Sequence, residues 1–397
     1  MEENFLKNIG IEWKTPFTRI KVDLYLKPED FIVEEIHREG VCSVKAPKTK
    51  LKNFQSKYIL ATLVKKGIST FEACRILAIK NSLNPNEISF CGLKDTFGIT
   101  AQLICIPNKG KLKQTKFKKF FITQFKLSNK KLLPRDHLGN RFKVRARNFN
   151  FDKQICKEIL KTVEGKIEEG FPNFYGPQRF GVRQNNHLCG KLLIKKRYRE
   201  FIKRFLTDIG EYEPLKIKKI RKEIKENFND LKKCYKILSK VSTLVYEREM
   251  LERLLKKEKI EKIVQENEVL KFCLHSYSSY LFNLALSSLI TKHKNNLHKL
   301  AGFQLQKLGC DSKIDKTTFK LYSEILKKEK INFNELKHAY KKFEIRGHLR
   351  NVLFYPKNFS YMIKDKDIFL QFDLGIGEYA SLFLEFIFDN RQKPKLE

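Results

Sequence analysis

The sequence predicts an α+β protein that carries a second, mainly helical domain, and three observations predict it. Strand, helix and strand patterns follow one another closely in the N-terminal part. From about residue 195 to 345 strands become scarce, and Lys/Glu-rich helical patterns such as YEREMLERLLKKEKIEKIVQ dominate. Strand signals then return in NVLFYP and IFLQFDL. The expected organisation is a first domain built from 1–194 and 346–397, interrupted by an inserted domain over 195–345. The C-terminal segment is expected to complete the sheet begun at the N-terminus. A length of 397 residues suits such a division.

In chain order, PEDFIVEEI (28–36) reads as a turn feeding a strand, because Pro28 fixes its own φ and Phe31, Val33 and Glu35 alternate with Ile32, Glu34 and Ile36. YILATLV (58–64) is a second strand, broken at Gly67. Phe71, Cys74, Leu77 and Ala78 have helical spacing, and Ser69 or Thr70 can serve as N-cap. After the Asn84-Pro85 turn, ISFCG and ITAQLICIP are two strands joined by the short loop LKDTFG. Arg141, Lys143, Arg145 and Arg147 alternate with Phe142, Val144 and Ala146, so a strand there puts four cations on one face, a candidate surface for phosphate. Ile155, Ile159, Val163 and Ile167 mark a helix ended by Gly170.

Charge narrows the choice of partner. There are 81 Lys+Arg against 45 Asp+Glu, a formal net charge of +36, on a chain with 42% hydrophobic residues. So cationic a folded protein is expected to meet a polyanion. The excess is concentrated: residues 109–147 hold 14 Lys or Arg and one acid, Asp136. No apolar run approaches the length of a transmembrane helix, the first residues lack the pattern of a secretory signal, and the nine scattered cysteines contain no C-x-x-C pair. Reduced thiols in a cytoplasmic or nuclear protein, with nucleic acid as partner and no membrane, are the expectation.

Two suggestive motifs fail on inspection. FDLGIGEYA (372–380) looks like a Gly-rich cofactor loop, but only 20 residues follow Gly377, too few for a nucleotide-binding βαβ unit. His37-x-Glu39 is half of a zinc deaminase signature whose P-C-x-x-C is missing. Two other segments hold up better. In FCGLKDTFGITAQ (90–102), Asp95 sits on a tight connection between two apolar strands, where a rigid scaffold can aim one carboxylate; a plain surface turn is the competing reading. NFYGPQRFG (173–181) gathers three aromatics, an amide and an arginine around a Gly-Pro turn. That composition suits a base pocket, with a ring to stack, an amide to read an edge and a guanidinium for phosphate.

Through these segments the sequence resembles the TruD family of tRNA pseudouridine synthases over most of its length. PEDFIVEEI resembles the family's N-terminal motif, CGLKDTFGITAQ its catalytic loop, and RDHLGNRFKVRARN its L-x-GN-x-F segment. NFYGPQRFGVRQNNHLCG resembles the aromatic motif, HSYSSYLFN (275–283) a helix of the inserted domain, and LQFDLGIGEYAS the C-terminal L-x-F-x-L-P-x-G-x-YAT. Six motifs in order make chance agreement improbable.

The resemblance implies a mixed, largely antiparallel sheet flanked by helices, plus a TRUD-type insertion. It also implies isomerisation of a uridine to pseudouridine, most commonly position 13 of the tRNA D-arm, without metal or cofactor. Asp95 matches the catalytic aspartate, Asn173 the active-site asparagine, and Tyr175 the ring, usually Phe, that stacks on the target base. Lys94, Arg179, Arg141, Lys143 and Arg145 are read as substrate-binding cations. The partner is then tRNA or another structured RNA, and the chain is expected to act as a monomer with no obligate protein partner.

Three positions depart from the family. Tyr25 stands where a Lys or Arg commonly pairs with the catalytic aspartate, Gly375 replaces a proline, and Glu385 stands where an arginine often follows YAT. Lys21, Lys27 and Lys94 are the candidates for the aspartate's cation. The rival reading is a catalytically silent RNA-binding or RNA-chaperone protein on the same scaffold.

Overall fold

The computed structural model describes all residues except 1–5, 39, 46, 48–54, 111, 212 and 392–397. The chain divides into two compact units. Among the described residues, one comprises 15–168 and 354–391, the other 6–14 and 169–353. The second unit contains the expected insertion, 195–345, and also the NFYGPQRFG loop and the helix Asn186–Ile194.

The first unit is built on a nine-stranded sheet. Its principal strands are β1 (Phe31–His37), β2 (Tyr58–Lys66), β3 (Ile99–Pro107), β4 (Phe120–Ser128), β5 (His137–Ala146), β6 (Lys357–Lys364) and β7 (Asp367–Gly375). They lie in the order β6-β7-β5-β1-β3-β2-β4, and two-residue strands at 40–41 and 89–90 pair with β1 and β3. Every neighbour is antiparallel except β1 and β3, which run parallel with Ile32 opposite Ile99. The sheet is thus mixed and largely antiparallel. The C-terminal strands do close the sheet begun at the N-terminus, and Ile20–Val22 pairs with Phe388–Asn390 as well.

The helix expected after Gly67 is α1 (Thr70–Lys80), and Ser69 is its N-cap, accepting from the Glu72 N–H. Ala73, Cys74, Leu77 and Ala78 bury its inner face on Ile59, Ala61, Leu63, Ile104, Ile106 and Ile122 of the sheet. Each large aliphatic side chain so buried contributes about 1.5–3 kcal/mol. Farther along, Phe142 stacks on Phe372 with centroids 5.4 Å apart, and Phe372 meets Phe383 of the helix Ala380–Ile387 edge-on at 4.9 Å.

The second unit is mainly helical, with a two-stranded antiparallel sheet of Gln304–Lys307 against His348–Asn351, strands separated by two helices. Its axis is the long helix α2 (Glu268–Lys292), capped by Asn267 and buried on most sides through Leu270, Leu274, Tyr277, Leu281, Phe282 and Ala285. A Cβ on Gly190 would lie 2.2 Å from the Cys273 carbonyl, so only glycine lets the helix Asn186–Ile194 cross α2 so closely. Among the described residues no helix is long and apolar enough to cross a membrane.

Candidate active site

In the sheet unit the site grows from the connection that enters β3. The 91–98 loop is held by its own neighbours: Gln102 Nε2 donates to the Gly92 carbonyl at 3.0 Å, the Lys94 N–H donates to Thr70 Oγ1 at 3.2 Å, and Thr70 Oγ1 in turn donates to Gln102 Oε1 at 2.8 Å. A Cβ on Gly98 would come within 2.4 Å of the Phe31 carbonyl, so the chain enters β3 tightly against β1. This fixes the backbone of Asp95 while leaving the residue exposed at the loop's surface.

The ammonium under this loop is that of Lys65, at the end of β2. Lys65 is 1% exposed, and its Nζ donates to the Asp95 carbonyl at 2.6 Å and to the Lys94 carbonyl at 3.3 Å. Lys94, a candidate for the aspartate's cation, sends its own ammonium elsewhere, to Glu35 Oε2 at 2.8 Å, in a pair buried on both sides. Although the residue reaches the surface, partial loss of hydration at the Asp95 carboxyl pushes its pKa up, and the positive charge of Lys65, and then of Lys94, opposes that rise. Burial pushes Lys65 down to about 8, with the Asp95 charge acting in the other direction. Two charges that each hold the other ionised are a means of keeping a carboxylate reactive in a crowded place.

The departures from the family pattern fall in the same unit. Tyr25 has φ +59°, a strained conformation for a bulky residue, and its ring meets Phe31 edge-on at 5.1 Å. Burial first, and then the negative charges of Asp95 and Glu385, raise its phenol above the ordinary range, so it stays protonated and can donate a hydrogen bond. Arg19 Nη1 pairs with Glu385 Oε1 at 3.0 Å. Gly375 receives a cap from Glu378, whose Oε2 accepts the Gly375 N–H at 2.7 Å.

The alternating basic strand forms as expected within β5, but every cation on it has a carboxylate. Arg141 makes a two-pronged pair with Asp373 at 2.8 and 2.9 Å, Lys143 reaches Glu34 at 2.7 Å, Arg145 meets Asp367, and Arg147 clasps Asp30. Asp373 lies directly opposite Arg141 on β7. For these four cations, charge that looks unbalanced along the chain is balanced across the sheet.

In the helical unit the NFYG loop is bound to the segment around Arg350. The Asn173 N–H donates to the Val352 carbonyl at 2.8 Å, its Nδ2 to the Asn351 carbonyl at 3.0 Å, and its Oδ1 accepts from Arg350. Tyr175 is 3% exposed; its N–H donates to Asn283 Oδ1 at 2.8 Å and its hydroxyl lies 2.9 Å from His348 Nε2. The Arg350 guanidinium sits 4.4 Å from the ring centroid and that of Arg179 5.6 Å, so a base stacking on the face under Arg350 needs that guanidinium to turn aside. Lys65, Glu35 and Arg350 escaped the sequence reading. Lys65 had one usable signal, a lysine closing an otherwise apolar strand; Glu35 and Arg350 had none.

Comparison with known proteins places this architecture among RNA-modifying isomerases. A crystal structure from Methanosarcina mazei, named for tRNA pseudouridine synthase D (TruD), superposes with a TM-score of 0.74 over 97% of this chain and 98% of its own, at 23% identity, a likeness of fold. The family model "tRNA pseudouridine synthase D (TruD)" matches residues 12–302, and the chain belongs to that family of isomerases. A Pyrococcus furiosus protein named "Probable tRNA pseudouridine synthase D" is 27% identical over 96% of this chain and 98% of its own length. One of the same name from Nanoarchaeum equitans is 32% identical over 69% of this chain and 72% of its own.

Proposed function

We propose that the chain converts a uridine of tRNA, at position 13 of the D-arm, to pseudouridine, with Asp95 as the one reacting carboxylate and no cofactor. The reaction breaks the N1–C1′ bond, turns the detached uracil, and joins C5 to C1′; the C5 proton leaves, N1 gains one, and the formula is unchanged. Asp95 acts on the ribose, as base at C2′ or nucleophile at C1′, and either role needs it ionised. The observation that carries the reading is the Lys65 ammonium lodged under the Asp95 loop at 2.6 Å, which supplies the positive charge the crowded carboxylate needs. Asn173 is the candidate to read the uracil edge. Tyr175 is the candidate to stack on the base once Arg350 moves, offsetting about 1–3 kcal/mol of the unstacking cost.

The test is release of tritium from C5-labelled uridine in tRNA, without additives. Release by the unmodified protein and none by Asp95→Asn, with tRNA binding retained, is the expected result; release surviving in the variant removes Asp95 from the reaction. Tyr25 and Glu385, where the family commonly carries cations, favour one other reading, a silent RNA-binding protein. Under it the unmodified protein binds tRNA and releases no tritium.

A further inference from the structure

Cations gather around the Tyr175 ring. Besides Arg350 and Arg179 over the ring, His348 bonds the Tyr175 hydroxyl, and Lys307 stands directly opposite His348 in the antiparallel strand register. Lys307 is the unusual member of the group. It is 1% exposed, and among the described residues its ammonium has no hydrogen-bond or ion-pair partner. Arg179 donates to Ser279 Oγ at 3.1 Å and lies 4.9 Å from the Phe272 centroid, again with no carboxylate among the described residues.

A buried ammonium without a counter-charge is strongly disfavoured, and it is relieved either by losing its proton or by meeting an anion. Burial and then Arg179 push Lys307 down to about 7, with Asp311 opposing them. His348 and His275 are held below the ordinary range by burial first and then by these same cations. Asp311 is itself engaged, accepting the Gly347 N–H at 2.7 Å. The group reaches solvent through exposed His348 and half-buried Arg179 and Arg350, with Lys307 innermost.

We propose that Lys307, Arg179 and Arg350, with His348 at the rim, form an anion site that takes one phosphodiester of the substrate RNA. This rests on reading the chain as a tRNA-modifying enzyme. Two non-bridging oxygens of a phosphodiester match a guanidinium fork, and the same group meets the point charge of an ammonium. Meeting one phosphate also removes the cost of leaving the Lys307 ammonium buried without a counter-charge.

The experiment measures tRNA affinity of the full chain against salt concentration for the unmodified protein, Lys307→Met and Arg179→Gln, with thermal unfolding of each. Each variant is expected to bind about tenfold more weakly at low salt and to lose about one from the slope of log affinity on log salt. Lys307→Met is further expected to unfold at the same or a higher temperature, since it removes an unpaired buried charge; a merely structural lysine would lower it. Unchanged affinity and slope in the folded variants overturns the proposal. Arg179→Gln, at a half-buried position, decides the matter if Lys307→Met does not fold. If inorganic phosphate protects the unmodified protein but not Lys307→Met against heat while the tRNA slopes stay the same, the site takes a free anion and the RNA assignment is wrong. Tritium release on the same samples separates the two readings. A chain that binds tRNA with the expected slopes yet isomerises nothing keeps the anion site and loses the isomerase.

Discussion

Lys65 Nζ, thirty residues earlier in the chain, donates to the carbonyl oxygen of Asp95 at 2.6 Å. One buried charge thereby anchors the backbone of the loop and supplies the counter-charge of its carboxylate.

Replacing it separates those effects from simple folding. Lys65→Met leaves two carbonyls without their donor and removes the cation favouring ionised Asp95, so kcat is expected to fall about 10–100-fold, equivalent to about 1.4–2.7 kcal/mol. KM should stay within about threefold, because Lys65 holds the loop from below. Single-turnover rates on tRNA check this, and a KM effect with kcat intact would assign Lys65 to binding.

The pH dependence follows from the two groups with opposite signs. Asp95 must be ionised, and its pKa is raised, so activity disappears on acidification at a higher pH than an ordinary aspartate requires. Lys65 must be charged, and it is pushed down to about 8, so activity falls again as pH rises through that value. A bell with its alkaline limb near 8 is expected for kcat. In Lys65→Met the alkaline limb should vanish and the acid limb should move up.

The Lys94–Glu35 pair should act on stability. Its side chains are 5% and 1% exposed, so removing one partner strands a buried charge, at a cost of about 3–5 kcal/mol. Urea unfolding of Lys94→Met, Glu35→Gln and the double variant measures it. The double variant should be more stable than the sum of the two single losses implies, because neither charge is left alone.

For the basic strand the expected response is also structural. Arg141→Ala loses a two-pronged pair with a buried Asp373, worth about 1 kcal/mol. Its tRNA affinity should change less than threefold and the salt slope should stay the same. A slope reduced by about one would return Arg141 to the RNA-binding surface.

The contrast between that strand and the Asp95 loop shows what a one-dimensional reading can reach. Alternation along 141–147 correctly gives a strand with Phe142, Val144 and Ala146 inside. It cannot give the partners, because Asp373, Glu34, Asp367 and Asp30 come from strands and turns far off in sequence, and only the strand order brings them alongside. The loop motif likewise marks Asp95 but leaves its cation open among Lys21, Lys27 and Lys94. The residue beneath the loop is Lys65, because β2 lies next to β3 in the sheet.

The sequence by itself determined the elements, the family and the acid on which the proposed chemistry rests, since local periodicity, turn chemistry and short motifs are carried by neighbouring residues. Tertiary structure alone decided which charges are spent on one another and which remain. Electrostatic pairing depends on distance and burial, and both are set by strand order and helix crossings between residues far apart in the chain. For that reason the cations at 141–147 turn out paired with carboxylates, while Lys307, unremarkable in the sequence, is buried without a partner among the described residues.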